Sequence, residues 1–163
     1  ELLEHPEADQ PVPEDLVEKP LREVKDEVEQ KISDIAFGVE LDADIDVLKF
    51  NVLGDEIFEE GTTEIKQSAY AKLDQMAKLF QKYPGSIMIE GHLDKKPITG
   101  GDPYLDSTAK AVALKDYFKK KHKMDEDRFC PRGVGTRRAY SATDSSHNRR
   151  IEFTLSQKNP CTQ

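Results

Sequence analysis

The chain has 163 residues, of which 36% are hydrophobic and 34% charged, and its formal net charge at pH 7 is −8. This length suits one domain with an appendage, and the composition predicts a heavily solvated surface or a partly extended segment. The acidic balance argues against nucleic acid as the main partner, because neutralising phosphates needs a net basic face. No apolar run approaches the length of a membrane span, so we expect any membrane anchor of the full protein to lie before Glu1.

The first 37 residues predict a linker followed by a helix. Residues 1–13 hold three prolines and four acidic residues without a periodic apolar pattern, which predicts a disordered linker. From residue 14 to residue 37, apolar side chains recur in steps of three and four, which predicts a linker helix with one narrow apolar stripe. The stripe consists of Val17, Leu21, Val24, Val28, Ile32 and Ile35. Two interpretations stay open, because such a stripe either packs on its own domain or forms the seam of a dimer.

A strand and a second helix are predicted next. Apolar and polar residues alternate from 45 to 53, which is typical of a half-buried strand. An acid-rich turn over 55–63 leads into a helix predicted over 64–83, which Pro84 and Gly85 terminate. The spacing predicts that one face of this helix lies in the core, namely Ile65, Ala69, Leu73, Met76 and Phe80.

The second half of the chain supplies the remaining strands. Residues 86–92 predict a buried inner strand, which a polar loop joins to a helix over residues 106–121. After this helix we predict a short strand over 128–134, an irregular loop over 135–147 and a last strand over 148–155.

Strands separated by helices, with the last strand after a long loop, predict an α+β fold. In this fold a mixed sheet carries helices packed on one face. We expect the domain to span residues 45–156, with the extra N-terminal helix before it and a C-terminal tail at 157–163.

Four short motifs occur in order between Phe50 and Leu155. They are Glu90-Gly91-His92-x-Asp94, Ser107-x-x-Lys110-Ala111, Gly133-Val134-Gly135 and Asn148-Arg149-Arg150-Ile151-Glu152. In this order and spacing they resemble the OmpA-like peptidoglycan-binding domain, and the resemblance implies an OmpA-like sheet. Two further stretches are similar to the MotB-like branch of that family, the periplasmic part of ion-driven stator subunits. These are Asp94-Lys95-Lys96-Pro97-Ile98 and Ile57-Phe58-Glu59-Glu60-Gly61.

The resemblance implies a site at the rim of the sheet for the peptide stem of peptidoglycan, whose diaminopimelate residue carries an ammonium and carboxylates. Asp94 would bind the amine, and Lys110, where the family has arginine, would bind the carboxylate. Ser107 would cap the following helix and contribute its N-terminal N–H groups. The residues that would close the pocket from the last strand are Asn148 and either Arg149 or Arg150.

The implied function is a non-catalytic, periplasmic anchor that holds a MotB-like, ion-driven membrane complex against the cell wall. The complex would be a flagellar stator or a secretion-associated proton channel. The implied partners are a membrane channel subunit, contacted through an inner-membrane tether absent from this sequence, and a second copy in a homodimer. The alternative is a degenerate OmpA-like domain that acts as a protein–protein interaction or dimerisation module with weak or no peptidoglycan binding.

Several departures from the family pattern fall on the site itself. Leu93 replaces a threonine, Asp106 replaces the leucine before Ser107, and Lys110 replaces the arginine. Lysine offers a carboxylate a point charge in place of a two-pronged fork. Loss of one charge-assisted hydrogen bond costs about 1.5–3 kcal/mol, or roughly ten- to hundred-fold in affinity. Three outcomes stay open: weak binding, compensation by another arginine such as Arg149, and loss of binding.

The two cysteines, Cys130 and Cys161, form a candidate disulfide. In an oxidising compartment this bond would tie the C-terminal tail to the sheet, while the alternative is a pair of free thiols. They have no metal-ligand spacing with the histidines, and the pair His92 and Asp94 lacks a third ligand, so no metal site or cofactor is predicted. No nucleophile–base set or phosphate loop is recognisable as a motif, and we therefore predict a non-enzyme.

Overall fold

The computed structural model of the chain describes residues 25–42, 46–94 and 102–157. Some predictions concern residues outside these ranges. They are the linker at 1–13, the first part of the linker helix at 14–24, the Lys95-Lys96-Pro97-Ile98 stretch, and Cys161 with the rest of the tail at 158–163.

Within the described residues, five strands form one mixed sheet. They are β1 (Phe37–Asp42), β2 (Val47–Leu53), β3 (Ser86–His92), β4 (Phe129–Gly133) and β5 (Arg150–Ser156). The strand order is β1-β2-β5-β3-β4, in which β3 and β4 run parallel and the other neighbours run antiparallel. The predicted α+β class and mixed sheet are confirmed, because long helices alternate with these strands.

The helices of the described residues range from one turn to 20 residues. They are α1 (Lys25–Ile32), α2 (Gly54–Ile57), α3 (Tyr70–Lys82), α4 (Pro103–His122) and α5 (Ser145–Asn148). Short 3₁₀ turns precede α3 at Gln67–Ala69 and β4 at Glu126–Arg128. None of the described helices combines the length and the apolar character needed to cross a membrane.

The core lies between the helices and one face of the sheet. Phe50 of β2 stacks on its cross-strand partner Phe153 of β5, with ring centroids 5.3 Å apart. Phe80 of α3 and Phe118 of α4 pack against this pair at 5.9 and 6.4 Å from Phe153, and all four rings are fully buried. Each such aromatic side chain contributes about 1.5–3 kcal/mol of burial free energy. The helices therefore cover one face of the sheet, as predicted.

Helix α1 packs on its own domain. Val28 and Ile32 belong to the same buried core as the sheet, and Ile35 lies at its edge. Lys82 of α3 donates a hydrogen bond to Glu27 at 2.7 Å across the same contact. The described part of the apolar stripe is therefore used within the chain.

The helix predicted over 14–37 ends earlier than expected. α1 stops at Ile32, and Phe37 opens β1, an edge strand that the sequence analysis missed. The hydroxyl of Ser33 donates to a carbonyl one turn back, which competes with continuation of the helix. Gly38 has a φ of +59°, a left-handed conformation that a helix does not use. The sheet thus gains a strand before the predicted start of the domain.

Two motif glycines allow α4 to lie directly on the sheet. A side chain at Gly91 would place its Cβ 2.2 Å from the Ser107 carbonyl oxygen, and one at Gly133 would come within 2.3 Å of the Ser107 hydroxyl. Only glycine permits such an approach of a helix backbone to a strand. Because α4 carries Lys110, these glycines also fix how far that lysine stands from the end of β3.

Cys130 of β4 is disulfide-bonded. Cys161, the other cysteine of the sequence, lies outside the described residues, so its predicted pairing with Cys130 stays a prediction.

Candidate functional site

A cleft of about 760 Å³ lies at the rim of the sheet where β3 ends and β5 begins. Four predicted site residues line it, namely Asp94, Lys110, Arg149 and Arg150. Side chains from α2 and the turn after it complete the wall, among them Asp55, Phe58 and Lys66. The structure therefore brings together residues from four separate segments of the chain.

Lys110 reaches from α4 over the ring of Phe58, with 5.6 Å between its Nζ and the ring centroid. No residue in the described ranges forms an ion pair or a hydrogen bond with this ammonium. Burial lowers the pKa of the Lys110 ammonium, and the Asp106 carboxylate only partly opposes this effect. A partly desolvated cation with an aromatic ring beneath it attracts a carboxylate more strongly than a fully hydrated lysine does.

The cleft lining also holds a guanidinium between two carboxylates, which we call the Asp–Arg–Asp cluster (Asp55, Arg149 and Asp94). Arg149 donates to Asp55 in a two-pronged arrangement, with Nε–Oδ1 and Nη2–Oδ2 distances of 2.9 and 2.8 Å. This hydrogen bonding raises the pKa of Arg149. Its Nη1 also lies 4.0 Å from Oδ2 of Asp94. Carboxylate oxygen atoms of Asp55 and Asp94 therefore lie at this part of the cleft, and such oxygens accept hydrogen bonds from an ammonium group.

The sequence analysis predicts Asn148 at the start of the last strand, and this prediction is wrong. Asn148 is the last residue of α5, and β5 begins only at Arg150. The carboxylate of Asp144 caps α5 by accepting a hydrogen bond from the Ser146 N–H, and this local cap favours a helical turn where a strand was expected. The Asn148 side chain is buried and donates to Asp94 Oδ1 at 3.1 Å.

Arg150 is near the cleft, but its guanidinium serves the structure. It donates to the Asn51 side chain and to the Arg138 carbonyl, both at 3.1 Å, and it lies over the Tyr140 ring. Arg150 is 6% exposed, and burial lowers its pKa. Both arginines line the cleft, but only the guanidinium of Arg149 donates to a carboxylate that lines it too.

Ser107 does not cap the helix that follows the loop. α4 begins at Pro103, and Asp102 is its N-cap, with its carboxylate accepting from the Tyr104 N–H at 2.9 Å. Ser107 is fully buried one turn further on, where its hydroxyl donates to the Tyr104 carbonyl and accepts from the Gly135 N–H. The Asp-Pro pair is itself a helix-start signal, and it lies a turn before the predicted start. Ser107 thus joins α4 to the loop after β4 and does not line the cleft.

A second charged group lies on the other face of the sheet, away from the helices. Glu90 is 1% exposed; its Oε1 lies 2.8 Å from His92 Nε2, and its Oε2 accepts from Arg132 Nε at 2.5 Å. Burial by itself would raise the pKa of Glu90, but the hydrogen bonds from His92 and Arg132 outweigh it and lower the pKa from 4.5 to about 2. We call Glu90, His92 and Arg132 the Glu90 network.

The Glu90 network includes a set of atoms of the type that binds metals. Ligand atoms of Glu90, His92 and Glu152 lie within 4.8 Å of one another. The sequence analysis considered only His92 with Asp94 and missed this grouping. The positive charge beside Glu90 comes from Arg132 and from Arg138, whose Nη1 is 3.6 Å away. We therefore describe the group as an ion-pair network and assign no metal to it.

The chain resembles known proteins in both sequence and fold. Residues 57–152 match the sequence profile of the OmpA family, and this match covers more than half of the 163 residues. The chain belongs to the OmpA family. The matched region contains Asp94, Lys110, Arg149 and Arg150, whereas Asp55, which also lines the cleft of this OmpA-family domain, lies just before it. The resemblance inferred from the four motifs is confirmed.

Three solved structures share the fold of this OmpA-family chain. A MotB-like protein from Desulfovibrio vulgaris is 22% identical, covers 85% of this chain and 91% of its own, and has a TM-score of 0.72. The cell wall anchor of the T6SS from Pseudomonas aeruginosa is 23% identical, with coverages of 85% and 96% and a TM-score of 0.68. The periplasmic domain of Helicobacter pylori MotB is 18% identical, with coverages of 78% and 84% and a TM-score of 0.67. The fold is therefore that of MotB-like periplasmic domains.

A curated relative is YtxE of Bacillus subtilis (strain 168), an uncharacterized protein that is 29% identical over 106 residues. The aligned part covers 61% of this chain and 44% of YtxE. The chain thus spans less than half the length of that relative.

Proposed function

We propose that this domain binds the peptide stem of peptidoglycan in the cleft and thereby anchors a membrane complex to the cell wall. The proposal depends on one observation: the Lys110 ammonium and the carboxylates of the Asp–Arg–Asp cluster line the same cleft. A diaminopimelate residue carries an ammonium and a carboxylate at its free end and so presents the opposite charges. Charge-assisted hydrogen bonds at both ends would select this group over a simple cation or anion.

The contacts of Arg149 bear on one alternative that the sequence analysis leaves open. Arg149 was a candidate to replace the missing family arginine, but both of its sides face carboxylates of this chain. Lys110 is then left as the cation for the ligand carboxylate, and Arg149 helps to hold Asp94 in place for the ammonium. A single lysine makes a weaker carboxylate contact than an arginine fork, so we expect modest affinity for one stem.

The proposed setting follows the similar structures. One of them is a periplasmic domain of MotB and another is a cell wall anchor of the T6SS. By extension, we propose a periplasmic domain of an ion-driven complex, either a flagellar stator or a secretion-associated proton channel. It would be tethered to the inner membrane and contact a channel subunit through a segment outside this sequence, and it would act as a homodimer without a catalytic role. In a dimer, two modest sites on one polymer would bind with much greater avidity.

A second candidate function is a protein–protein interaction or dimerisation module that has lost the cell wall site. Two observations favour it: lysine stands where the family has arginine, and the neighbouring Arg149 is occupied by Asp55. The two candidates differ in whether the cleft binds peptidoglycan at all, and a binding experiment separates them.

The test is co-sedimentation of the purified domain with peptidoglycan sacculi at moderate salt. We expect the wild-type domain in the pellet. D94A and K110A should each lower the apparent affinity for the sacculi by roughly ten-fold or more. The matched control is K120A, because Lys120 is an exposed lysine of the same helix, away from the cleft.

If K120A reduces retention as much as K110A does, the domain binds by unspecific attraction between a basic surface and an anionic polymer. No retention of the wild type would reject the anchor in favour of the interaction module.

A further inference from the structure

Asn148 lies behind Asp94 and not in the cleft. We propose that it is a positioning residue: it fixes the orientation and ionisation of the Asp94 carboxylate, and the ligand does not touch it. This inference rests on the proposed function of the cleft, and it differs from the contact role that the motif resemblance implied for Asn148.

The side-chain amide of Asn148 has no hydrogen-bonding capacity left for a ligand. Its Oδ1 accepts from the backbone N–H groups of Tyr140 and Ser141 at 2.7 and 2.9 Å. Its Nδ2 donates to the Ser141 carbonyl at 2.8 Å and to Asp94 Oδ1 at 3.1 Å. An asparagine amide has two donors and an oxygen with two lone pairs, so all four positions are used. The residue is 7% exposed, and it is not among the residues that line the cleft.

These hydrogen bonds join the end of α5 to the loop just before it and to Asp94, which lies 54 residues earlier in the chain. Asn148 ends α5, Tyr140 and Ser141 belong to the loop after β4, and Asp94 follows β3. Two backbone N–H groups donate to the amide oxygen, so these bonds fix the amide plane independently of Asp94. Nδ2 therefore offers its proton to Asp94 Oδ1 in one direction only, while Asp94 Oδ2 lies on the side of Arg149 at 4.0 Å.

A fixed donor on one carboxylate oxygen has two consequences for the cleft. It stabilises the ionised form of Asp94, because hydrogen bonds to a charged group favour that group's charged state. It also limits rotation of the carboxylate, so the oxygen arrangement that receives an ammonium is set in advance and less entropy is lost on binding. Asn148 would thus affect affinity without contacting the ligand.

The test compares N148A and N148D with S141A in the same domain. Asparagine and aspartate have the same shape, so N148D keeps the packing while it removes both donors and adds a like charge beside Asp94. The Ser141 hydroxyl accepts from Thr143 and Asp144 N–H groups within the same loop and does not bond Asp94, which makes S141A a matched loop control. Thermal unfolding shows whether each variant is folded at the temperature of the measurements.

Two readouts are measured for each variant: the pKa of the Asp94 carboxyl by carbon-detected NMR, and the affinity for a soluble muropeptide that carries diaminopimelate. We expect N148A to raise the pKa of Asp94 and weaken binding about ten-fold. N148D should raise this pKa and weaken binding to a greater extent, and S141A should leave the pKa and the affinity unchanged. A folded N148A with unchanged pKa and affinity would overturn the proposal, as would an equal effect of S141A.

The wild-type domain supplies a measurement that needs no variant. The Asn148 side-chain amide protons should shift as Asp94 titrates, and they should show no nuclear Overhauser contact with the bound muropeptide. A direct contact would make Asn148 a ligand-binding residue and overturn its positioning role. If the wild type binds no muropeptide, the proposed function fails on that result alone, while the titration still tests whether Asn148 controls Asp94.

Discussion

Two groups of charged side chains flank the same end of β3, and they differ in how their charges are paired. In the Glu90 network, the carboxylate of Glu90 is buried and engaged by both His92 and Arg132. In the cleft, no described residue forms an ion pair or a hydrogen bond with the Lys110 ammonium, which lies over the Phe58 ring, and the carboxylates of Asp55 and Asp94 lie beside Arg149. The first group pairs a buried carboxylate with cations, whereas the second contains the Lys110 ammonium, which has no ion-pair partner among the described residues.

This difference predicts that the first group stabilises the fold and that the second group binds the ligand. A buried carboxylate paired with cations costs much to disrupt, because its removal leaves the cations without a partner. A half-buried cation without a partner costs stability in the free protein, and that cost is recovered only when an anion binds. Substitutions in the Glu90 network should therefore lower stability, and substitution of Lys110 should lower affinity with little effect on stability.

The largest effect should come from Glu90. We expect E90Q to lower the free energy of unfolding by roughly 3 kcal/mol, because Arg132 and His92 lose their charged acceptor, with solvent compensating partly at the exposed Arg132. Urea unfolding measures the change. The control is E152Q on the same face of the sheet, where we expect less than about 1 kcal/mol because Glu152 is only half-buried. A loss for E152Q as large as that for E90Q would remove the distinction between the network and its surroundings.

Acid should erase the stability contributed by Glu90. Its pKa is lowered from 4.5 to about 2 in the folded protein, so the carboxylate contributes stability above pH 4.5 that is lost as the pH falls toward 2. The difference in unfolding free energy between the wild type and E90Q should therefore shrink over this interval. Subtracting the two proteins cancels the acid sensitivity of Asp74, whose pKa is also lowered to about 2. A constant difference from pH 5 to pH 2 would contradict the pairing of Glu90.

Lys110 should control affinity for the ligand carboxylate. We expect K110R to bind a diaminopimelate muropeptide at least as well as the wild type, because a guanidinium fork engages both carboxylate oxygens. K110M should bind about ten-fold more weakly, since it keeps the aliphatic stem over Phe58 and removes only the charge. Isothermal titration measures all three proteins. Equal affinity of K110M and the wild type would show that Lys110 is a surface cation.

The smallest effect should be a gain in stability at the same position. Burial lowers the pKa of Lys110, which means that the charged form is disfavoured in the folded state. This cost is present at neutral pH and disappears as the pH rises through the lowered pKa toward its ordinary value of 10.5. K110M should therefore unfold at a slightly higher temperature at pH 7, by less than about 1 kcal/mol in free energy. A clear loss of stability would place Lys110 with the structural charges.

Much of the fold was predictable because it depends on local periodicity. The alternation of Leu48, Phe50 and Val52 and the helical spacing of Leu73 and Phe80 determine which faces are buried, and these residues are in the core. The ordered motifs also located the end of β3 and Lys110. The predicted start of α4 at residue 106 is wrong. The helix begins one turn earlier, at Pro103, where Asp102 is the N-cap in place of Ser107.

The cleft itself was less predictable, because its contacts depend on tertiary structure. Asp55 was assigned to an acidic turn, and its partner Arg149 lies 94 residues further along the chain. No spacing in the sequence joins the two. The same holds for the four hydrogen bonds of the Asn148 amide, three of which involve the backbone of a loop with no apolar period. The motifs contain both Lys110 and Arg150, and only their packing shows that Arg150 donates to Asn51 and Arg138 whereas Lys110 has no ion-pair partner among the described residues.

The most direct test of the account is calorimetric titration with one muropeptide in two forms, with the diaminopimelate carboxylate either free or amidated. We predict that amidation weakens binding to the wild-type domain about ten-fold and has no effect on K110M, because Lys110 is the group that senses this carboxylate. Equal affinity of the wild type for both forms would contradict the claim that the cleft recognises the ligand through the Lys110 ammonium.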